Sequence, residues 1–169
     1  MRGSGEKPLT LLPRSNQQLA AKLVLNCLST GSFVAAGKVF RNRMVDLRIS
    51  NAKLYARAVA LIESLVGVPH EVSEACVLRA IYTDVICTSP EAYTKLLKCP
   101  VSEHVRSAYQ KEKVVPLALL LASGVPSLAL ATSTLKKQPI VRTAIAQALS
   151  ATSKSMLPPM VEPGSYLFE

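Results

Sequence analysis

The sequence feature that most restricts the fold is a periodic run of apolar residues after Asn51. The apolar positions are Leu54, Ala58, Leu61, Ile62 and Leu65. Steps of four, three, one and three positions place these side chains on one face of an α-helix, because the helix repeats every 3.6 residues. Ser50 or Asn51 can cap the start of this helix, and Gly67 and Pro69 provide a stop signal. The pattern therefore predicts an amphipathic helix over residues 51–65.

Weaker periodic patterns predict that most of the remaining chain is helical too. The predicted helices cover residues 17–40, 70–86, 102–123, 127–135 and 139–149, with a short further one that starts at Ser89 and Pro90 and is broken at Pro100. A loop with short extended character is expected over residues 44–50, and Pro116 is expected to bend the helix over residues 102–123. We therefore predict an all-α fold of several helices.

The two ends of the sequence differ in composition from the part between them. Residues 1–14 carry glycine, proline and charge without periodicity, and are predicted to form a flexible lead-in. Residues 152–169 contain three prolines and are predicted to be a disordered tail. A chain of 169 residues is long enough for one domain with a buried core, and the predicted extent of that helical domain is residues 15–151.

Composition and motif spacing argue against membrane and nucleic-acid partners. No apolar run approaches the roughly 20 residues of a membrane span, and the first residues lack the apolar core of a signal peptide. The chain is therefore expected inside the cell. The net charge of +9 suits anionic partners, but the basic residues are not interleaved with aromatic ones and no DNA-binding motif is visible.

No group of residues has the spacing of a catalytic or metal site. The four cysteines, Cys27, Cys76, Cys87 and Cys99, form no C-x-x-C pair. We expect them to be free, buried thiols rather than zinc ligands or disulfides. His70 and His104 have no partner at catalytic spacing and are expected to be helix caps or surface residues. No cofactor or metal is expected, and the chain taken alone is not expected to be an enzyme.

Gly31, Gly37 and Lys38 are similar to a phosphate-binding loop only superficially. Five residues separate the two glycines where the loop requires four, and Val39 stands where a Ser or Thr must bind magnesium. Close packing is the better explanation of Gly37.

The segment over residues 37–57 is the most basic part of the chain. It holds Lys38, Arg41, Arg43, Arg48, Lys53 and Arg57 against one acidic residue, Asp46. Lys53 and Arg57 lie on one face at the start of the predicted helix, where the helix dipole is already positive. Cations there are unfavourable unless an anion binds, and phosphate is a usual ligand of helix N-termini.

Asn51, Lys53 and Arg57 are therefore candidates for one half of a phosphosugar site. Lysine offers a mobile charge to a phosphate, arginine a rigid fork, and the asparagine amide can bind sugar hydroxyls. Three groups on one helix cannot enclose a ligand, so another part of the protein must supply the other half. The alternatives are a solvated basic face, and an Arg57 that braces the loop at Asp46.

This segment, together with Leu25-Asn26-Cys27-Leu28-Ser29-Thr30-Gly31 before it, resembles the C-terminal helical lid of the glucokinase regulatory protein family. That family shares ancestry with the bacterial N-acetylmuramic acid 6-phosphate etherases, whose pattern is similar around Gly37-Lys38-Val39 and Met44-Val45-Asp46. The order Asp46-Leu47-Arg48-Ile49-Ser50-Asn51, followed by Lys53-Leu54, is closer to the animal regulators. The resemblance covers residues 18–149.

The resemblance implies an all-α, multi-helix lid domain whose last part, residues 102–151, is similar to a small ubiquitin-associated three-helix module with a packing role. It implies that the lid closes over a site for fructose 6-phosphate or fructose 1-phosphate. Two sugar isomerase (SIS) domains, absent from this chain, would form the rest of that site. The full-length protein would inhibit glucokinase, would be found in the nucleus and cytoplasm, and would respond to sugars that prefer different arrangements of lid and SIS domains.

Two other interpretations stay open from the sequence. The chain could be a fragment of an etherase, a lyase, which a catalytic carboxylate in the missing N-terminal half would reveal. It could also be a stand-alone basic helical adaptor, which would require that the gene encode only these 169 residues.

Overall fold

The chain is built mainly from α-helices in the part that the computed structural model describes, residues 13–82 and 95–155. The helices are α1 (Arg14–Ala35), α2 (Ala52–Val66), α3 (His70–Ile81), α4 (Val101–Ala108), α5 (Val114–Ala122), α6 (Leu128–Lys137) and α7 (Val141–Ser155). Residues 95–97 are helical as well. The all-α fold class is confirmed. The short helix predicted from Ser89 starts outside the described residues.

Residues up to Ala36 and residues from Gly37 onward form two compact units. In the first unit, helix α1 has no buried residue, and its leucines Leu19, Leu23 and Leu28 are more than half exposed. The helix was expected to continue to residue 40, but it ends at Ala35. The lead-in predicted for residues 1–14 lies outside the described residues up to residue 12. A single domain over residues 15–151 stays a prediction.

A two-stranded hairpin replaces the last part of the predicted first helix. Strand β1 (Val39–Phe40) pairs antiparallel with β2 (Arg43–Met44), and Arg41 and Asn42 form the turn. Both turn residues have positive φ angles, 46° and 58°. Such a turn matches the right-handed twist of paired strands, although glycine usually fills at least one of the two positions. The missing glycine explains why the sequence did not indicate a hairpin.

The segment after the hairpin is extended and lies against the helices. Val45, Leu47 and Ile49 are buried, whereas Arg48 between them is exposed. This alternation is what an extended backbone produces, because successive side chains point to opposite sides. The extended character predicted for residues 44–50 is therefore confirmed.

Helix α5 is the centre of the second unit. Val115, Ala118, Leu119 and Leu120 are completely buried, and the helix packs against α2, α3, α6 and α7. Helix α5 is apolar on nearly all sides, which is typical of a helix that is surrounded by others.

The single helix predicted over residues 102–123 is wrong, because residues 109–113 separate α4 from α5. Lys113 has a φ of 60°, which a continuous helix does not allow. Pro116 is not in the interior of a long helix, where it was expected to cause a bend. It lies in the first turn, where a helix has no acceptor for the missing N–H.

The last two helices agree better with the sequence. Ser127 caps α6 by accepting a hydrogen bond from the Leu130 amide at 3.2 Å, and Gly124 before it has a φ of 89°. Helix α7 continues to Ser155, beyond the start predicted for the tail at residue 152; residues 156–169 lie outside the described part. The similarity of this region to a ubiquitin-associated module stays a prediction.

Gly37 is explained by close packing, as expected. Its φ is 69°, and a Cβ atom added to it would lie 2.5 Å from Cγ2 of Ile140. Its carbonyl oxygen accepts a hydrogen bond from the amide of Arg142, in the first turn of α7, at 2.9 Å. The glycine therefore joins the hairpin to the start of the last helix.

The cysteines are only partly as predicted. Cys76 is buried, and burial raises the pKa of its thiol, so it stays protonated at neutral pH. Cys27 is exposed and Cys99 is half-buried, so the expectation of buried thiols is wrong for both. Cys87 lies outside the described residues. In residues 13–82 and 95–155, no helix is long and apolar enough to span a membrane, and no cluster of three metal-binding side chains occurs.

Candidate functional site

The start of α2 has the geometry that the sequence predicted. Asn51 is the N-cap, with an extended backbone, and its side-chain oxygen accepts a hydrogen bond from the Leu54 amide at 2.9 Å. The side-chain nitrogen of Asn51 is the group that can donate to a ligand, because the side-chain oxygen accepts the capping hydrogen bond. Gly67, in the left-handed conformation, ends the helix as expected.

Lys53 and Arg57 are both exposed on α2, whereas Leu61 and Leu65 on the same helix are buried. The first turn of α2 contains no acidic residue. Among the described residues, no carboxylate oxygen lies within 4.0 Å of either cationic group. The positive end of α2 therefore carries two cations that this part of the chain does not neutralise.

Two other cations of the basic segment, Lys38 and Arg48, hold the loops around α2. Asp46, whose side chain is only 10% exposed, is bound by Lys113 at 2.5 Å and by Lys38 at 3.7 Å. This carboxylate therefore links the hairpin to the residue that begins α5. The alternative in which Arg57 braces Asp46 is wrong, because the two lysines take that place.

Arg48 makes a second link, between the extended segment after the hairpin and the end of α4. Its guanidinium donates two hydrogen bonds to the carbonyl oxygen of Tyr109, at 2.8 and 2.5 Å, and lies over the ring of that tyrosine at 5.1 Å. Lys111 lies two positions after Tyr109, and its ammonium donates to the carbonyl oxygen of Ile81. Ile81 is at the C-terminal end of α3, where a cation complements the helix dipole.

A polar cleft of about 210 Å³ lies among these contacts, lined by Lys38, Asp46, Leu47, Arg48, Lys111, Glu112 and Lys113. Its charged groups mostly bind one another or backbone oxygens. The cleft is therefore better explained as the support of the segment that leads into Asn51 than as a ligand site.

His104 is buried, which contradicts the expectation of a cap or surface residue. Its ring stacks on Tyr55 and meets Tyr82 edge-on, each at a centroid distance of 5.7 Å. Its Nδ1 atom is 3.0 Å from the Tyr82 hydroxyl, and the Tyr55 hydroxyl donates to Glu74 at 3.1 Å. This polar cluster ties α2, α3 and α4 together. His70, as expected, is exposed at the first position of α3, paired with Glu63.

The sequence predicted the cap at Asn51 and the shared helix face of Lys53 and Arg57 because a helix start is a local signal. It missed the links that hold this helix start in place. Asp46 and Lys113 are 67 positions apart, and Arg48 and Tyr109 are 61 apart. Neither pair has a sequence motif that would have revealed it.

Replacing Asn51 by alanine is expected to lower the free energy of unfolding by about 1 kcal/mol, because the Leu54 amide loses its acceptor. Asn51→Ser, which keeps a side-chain oxygen in the cap position, is the matched control and should change stability by only a few tenths of a kcal/mol. Urea unfolding followed by circular dichroism measures both. Equal losses in the two variants would contradict the capping role.

Comparison with known proteins identifies the family of the part of the chain that contains α2. A family model described as the C-terminal lid domain of glucokinase regulatory protein matches residues 41–145, more than half of the chain. The chain belongs to this lid family. The matched residues contain the hairpin turn and helices α2 to α6, whereas α1 lies before them.

Individual relatives of the lid family include regulators and enzymes. Human glucokinase regulatory protein is 38% identical over 110 residues, which are 64% of this chain and 17% of the human protein. The rat protein is 38% identical over 112 residues, 66% of this chain and 17% of its own length. The N-acetylmuramic acid 6-phosphate etherase of Cronobacter sakazakii is 40% identical over 78 residues, 46% of this chain and 26% of the enzyme. The chain thus spans less than a fifth of the regulators it matches.

Proposed function

We propose that this chain is the lid of a glucokinase regulatory protein, and that α2 supplies the lid's half of a fructose phosphate site. Lys53 and Arg57 bind the phosphate group, and the Asn51 amide donates to the sugar. SIS domains of a longer protein enclose the other side. The observation that carries the proposal is the pair of exposed cations at the positive end of α2, without a neutralising carboxylate among the described residues.

The chemistry of the helix start supports an anion rather than any other ligand. The first amide groups of α2 point out of the helix, and the dipole adds a partial positive charge to those of Lys53 and Arg57. A phosphate placed there accepts hydrogen bonds from lysine, from the arginine fork and from the backbone. No acid-base pair or nucleophile accompanies these groups in the described part of the chain, so the proposed role is binding and not catalysis.

Regulation follows if the two sugars prefer different arrangements of lid and SIS domains. A ligand shifts such an equilibrium only by the difference between its affinities for the two states. In the proposal, fructose 6-phosphate and fructose 1-phosphate place the phosphate differently against Lys53 and Arg57. One sugar then stabilises the form that inhibits glucokinase, in the nucleus and the cytoplasm, and the other opposes it.

The experiment uses a chimera, human glucokinase regulatory protein whose matching lid segment is replaced by residues 41–145. Lys53→Ala in this chimera removes a charged hydrogen bond worth about 1.5–3 kcal/mol. At about 1.4 kcal/mol per decade, affinity for fructose 6-phosphate should fall roughly ten- to hundred-fold in calorimetry. Arg57→Ala should act in the same direction, and the inhibition of glucokinase should lose its response to both sugars.

Lys98→Ala is the matched control, since Lys98 is an exposed lysine outside α2. It should leave both affinities unchanged. Unchanged affinity for both sugars in the Lys53→Ala chimera would overturn the site, and would leave Lys53 and Arg57 as a solvated basic face.

The identity to the Cronobacter sakazakii etherase supports a second candidate, a lid for an enzyme that acts on N-acetylmuramic acid 6-phosphate. The two candidates share the phosphate and differ in the sugar. A second chimera, in which residues 41–145 replace the matching segment of the Cronobacter sakazakii etherase, distinguishes them, because each host protein supplies its own other half of the site. Lys53→Ala is expected to weaken sugar binding only in the regulator chimera, and a loss confined to N-acetylmuramic acid 6-phosphate binding in the etherase chimera would favour the etherase.

A further inference from the structure

A groove formed by three of the later helices contains none of the residues of the proposed sugar site. It lies between α5, α6 and the start of α7, with a volume of about 410 Å³, within the ~300–1,000 Å³ range of ligand pockets. Most of its lining is apolar, from Leu117, Leu135, Pro139 and Val141. Its two charged residues are Lys113 and Lys136. We refer to it as the α5–α6 groove.

The three helices that form the α5–α6 groove carry no acidic side chain. The sequence from Lys113 to Ser155 contains no aspartate or glutamate. Asp46, which is outside these helices, neutralises Lys113 through an ion pair of 2.5 Å. Lys136, in contrast, is exposed and has no carboxylate within 4.0 Å among the residues that the structure describes. An acidic partner would therefore meet no repulsion along these three helices.

The mixture of apolar walls and a cation restricts the occupant. A small anion would gain nothing from Leu117, Leu135 and Val141, and an uncharged apolar molecule would gain nothing from Lys136. Ile140, next to the groove lining, is 45% exposed and enlarges the apolar surface. A peptide segment suits such a surface, because one apolar side chain can fill the groove while neighbouring residues reach the lysine.

We propose that the α5–α6 groove is a docking site for a partner protein, and that it binds a short segment with an apolar anchor beside aspartate or glutamate. The anchor lies between Leu117 and Leu135, and the acidic residue pairs with Lys136. The contact area of one groove is small, so the complex is of the weak, transient kind. The exposed ion pair makes the association sensitive to ionic strength.

The test measures binding of a fluorescein-labelled synthetic peptide to the full chain by fluorescence polarisation. The probe has a Leu-Leu-Phe core with three glutamates on each side. One control peptide has lysines in place of the glutamates, and another has an all-alanine core. The acidic peptide with the apolar core should bind saturably and at least tenfold more tightly than either control, and more weakly as salt is added.

Variants of the protein then locate the binding. Lys136→Glu should weaken the peptide complex about tenfold by reversing the charge at the groove. Thr132→Phe, at a half-buried position of the lining, should weaken it as much by filling the space. Lys98→Glu makes the same change of net charge outside the groove and should leave the affinity within a factor of two. Circular dichroism establishes that all variants are folded.

Three results would overturn the proposal. Equal losses in Lys136→Glu and Lys98→Glu would show only a non-specific charge effect. Self-association of the chain in sedimentation, abolished by Thr132→Phe, would assign the groove to a second copy. Tighter peptide binding after removal of residues 156–169 would assign it to that segment of the same chain.

Discussion

Leu119→Ala is expected to lower the free energy of unfolding by about 2–5 kcal/mol. Leu119 is completely buried on α5, the helix that packs against four others. The substitution removes apolar contacts and leaves a cavity that helices fixed on several sides cannot close. Since domains are stable by only ~5–15 kcal/mol, this one change would remove a large share of the total. Urea unfolding of the full chain measures the loss.

Leu130→Ala is the matched control for that experiment. It removes the same atoms from α6, where the side chain is 48% exposed, and should cost less than about 1 kcal/mol. Similar losses in the two variants would mean that α5 is not the centre of the core.

Gly37→Val is expected to cost about 2–5 kcal/mol through two separate effects. The φ of 69° is strained for a β-branched residue, which costs about 1–2 kcal/mol. The added side chain must also push Ile140 away, and overpacking of this kind costs about 1–3 kcal/mol. The free energy of unfolding, again from urea denaturation, gives the sum.

Gly67→Val separates the two effects. Gly67 has a similar φ of 79°, but apart from its chain neighbours no described residue has an atom within 4 Å of a Cβ added there, so this variant measures mainly backbone strain. In addition, Ile140→Ala should restore part of the stability of Gly37→Val, because it makes room for the valine. Absence of any such rescue would contradict the packing of Gly37 against Ile140.

The sequence was sufficient for elements whose start and end are encoded locally. Asn51 before the apolar stripe and Gly67 after it define α2, and Ser127 does the same for the start of α6. The candidate phosphate-binding cations followed from the same local logic. Lys53 and Arg57 lie at a helix start that was recognisable, and their exposure follows from the positions of Leu61 and Leu65.

What the sequence could not predict depends on contacts between distant residues. Lys113 adopts a left-handed conformation, which lysine has no intrinsic tendency to do, and its ammonium is bound to Asp46. The break between α4 and α5 occurs at this ion pair. Periodicity is a local signal and does not reveal such a contact, and it therefore predicted one continuous helix. Likewise, His104 contacts Tyr55 on α2 and Tyr82 at the end of α3, and the burial of its ring depends on these residues from distant parts of the sequence.

The position of α5 has a consequence for how this unit could be divided. The helix packs against α2 and α3 and also against α6 and α7, so both pairs of helices depend on the same nine residues. Truncation before α5 would expose the surfaces of α2 and α3 that α5 buries. Separation after α5 would expose the surfaces of α6 and α7 that pack against it. An engineer who wished to transplant only the last three helices would have to redesign the surface left behind. A substitution that destabilises the packing of α5 against one pair of helices is therefore expected to destabilise the other pair as well.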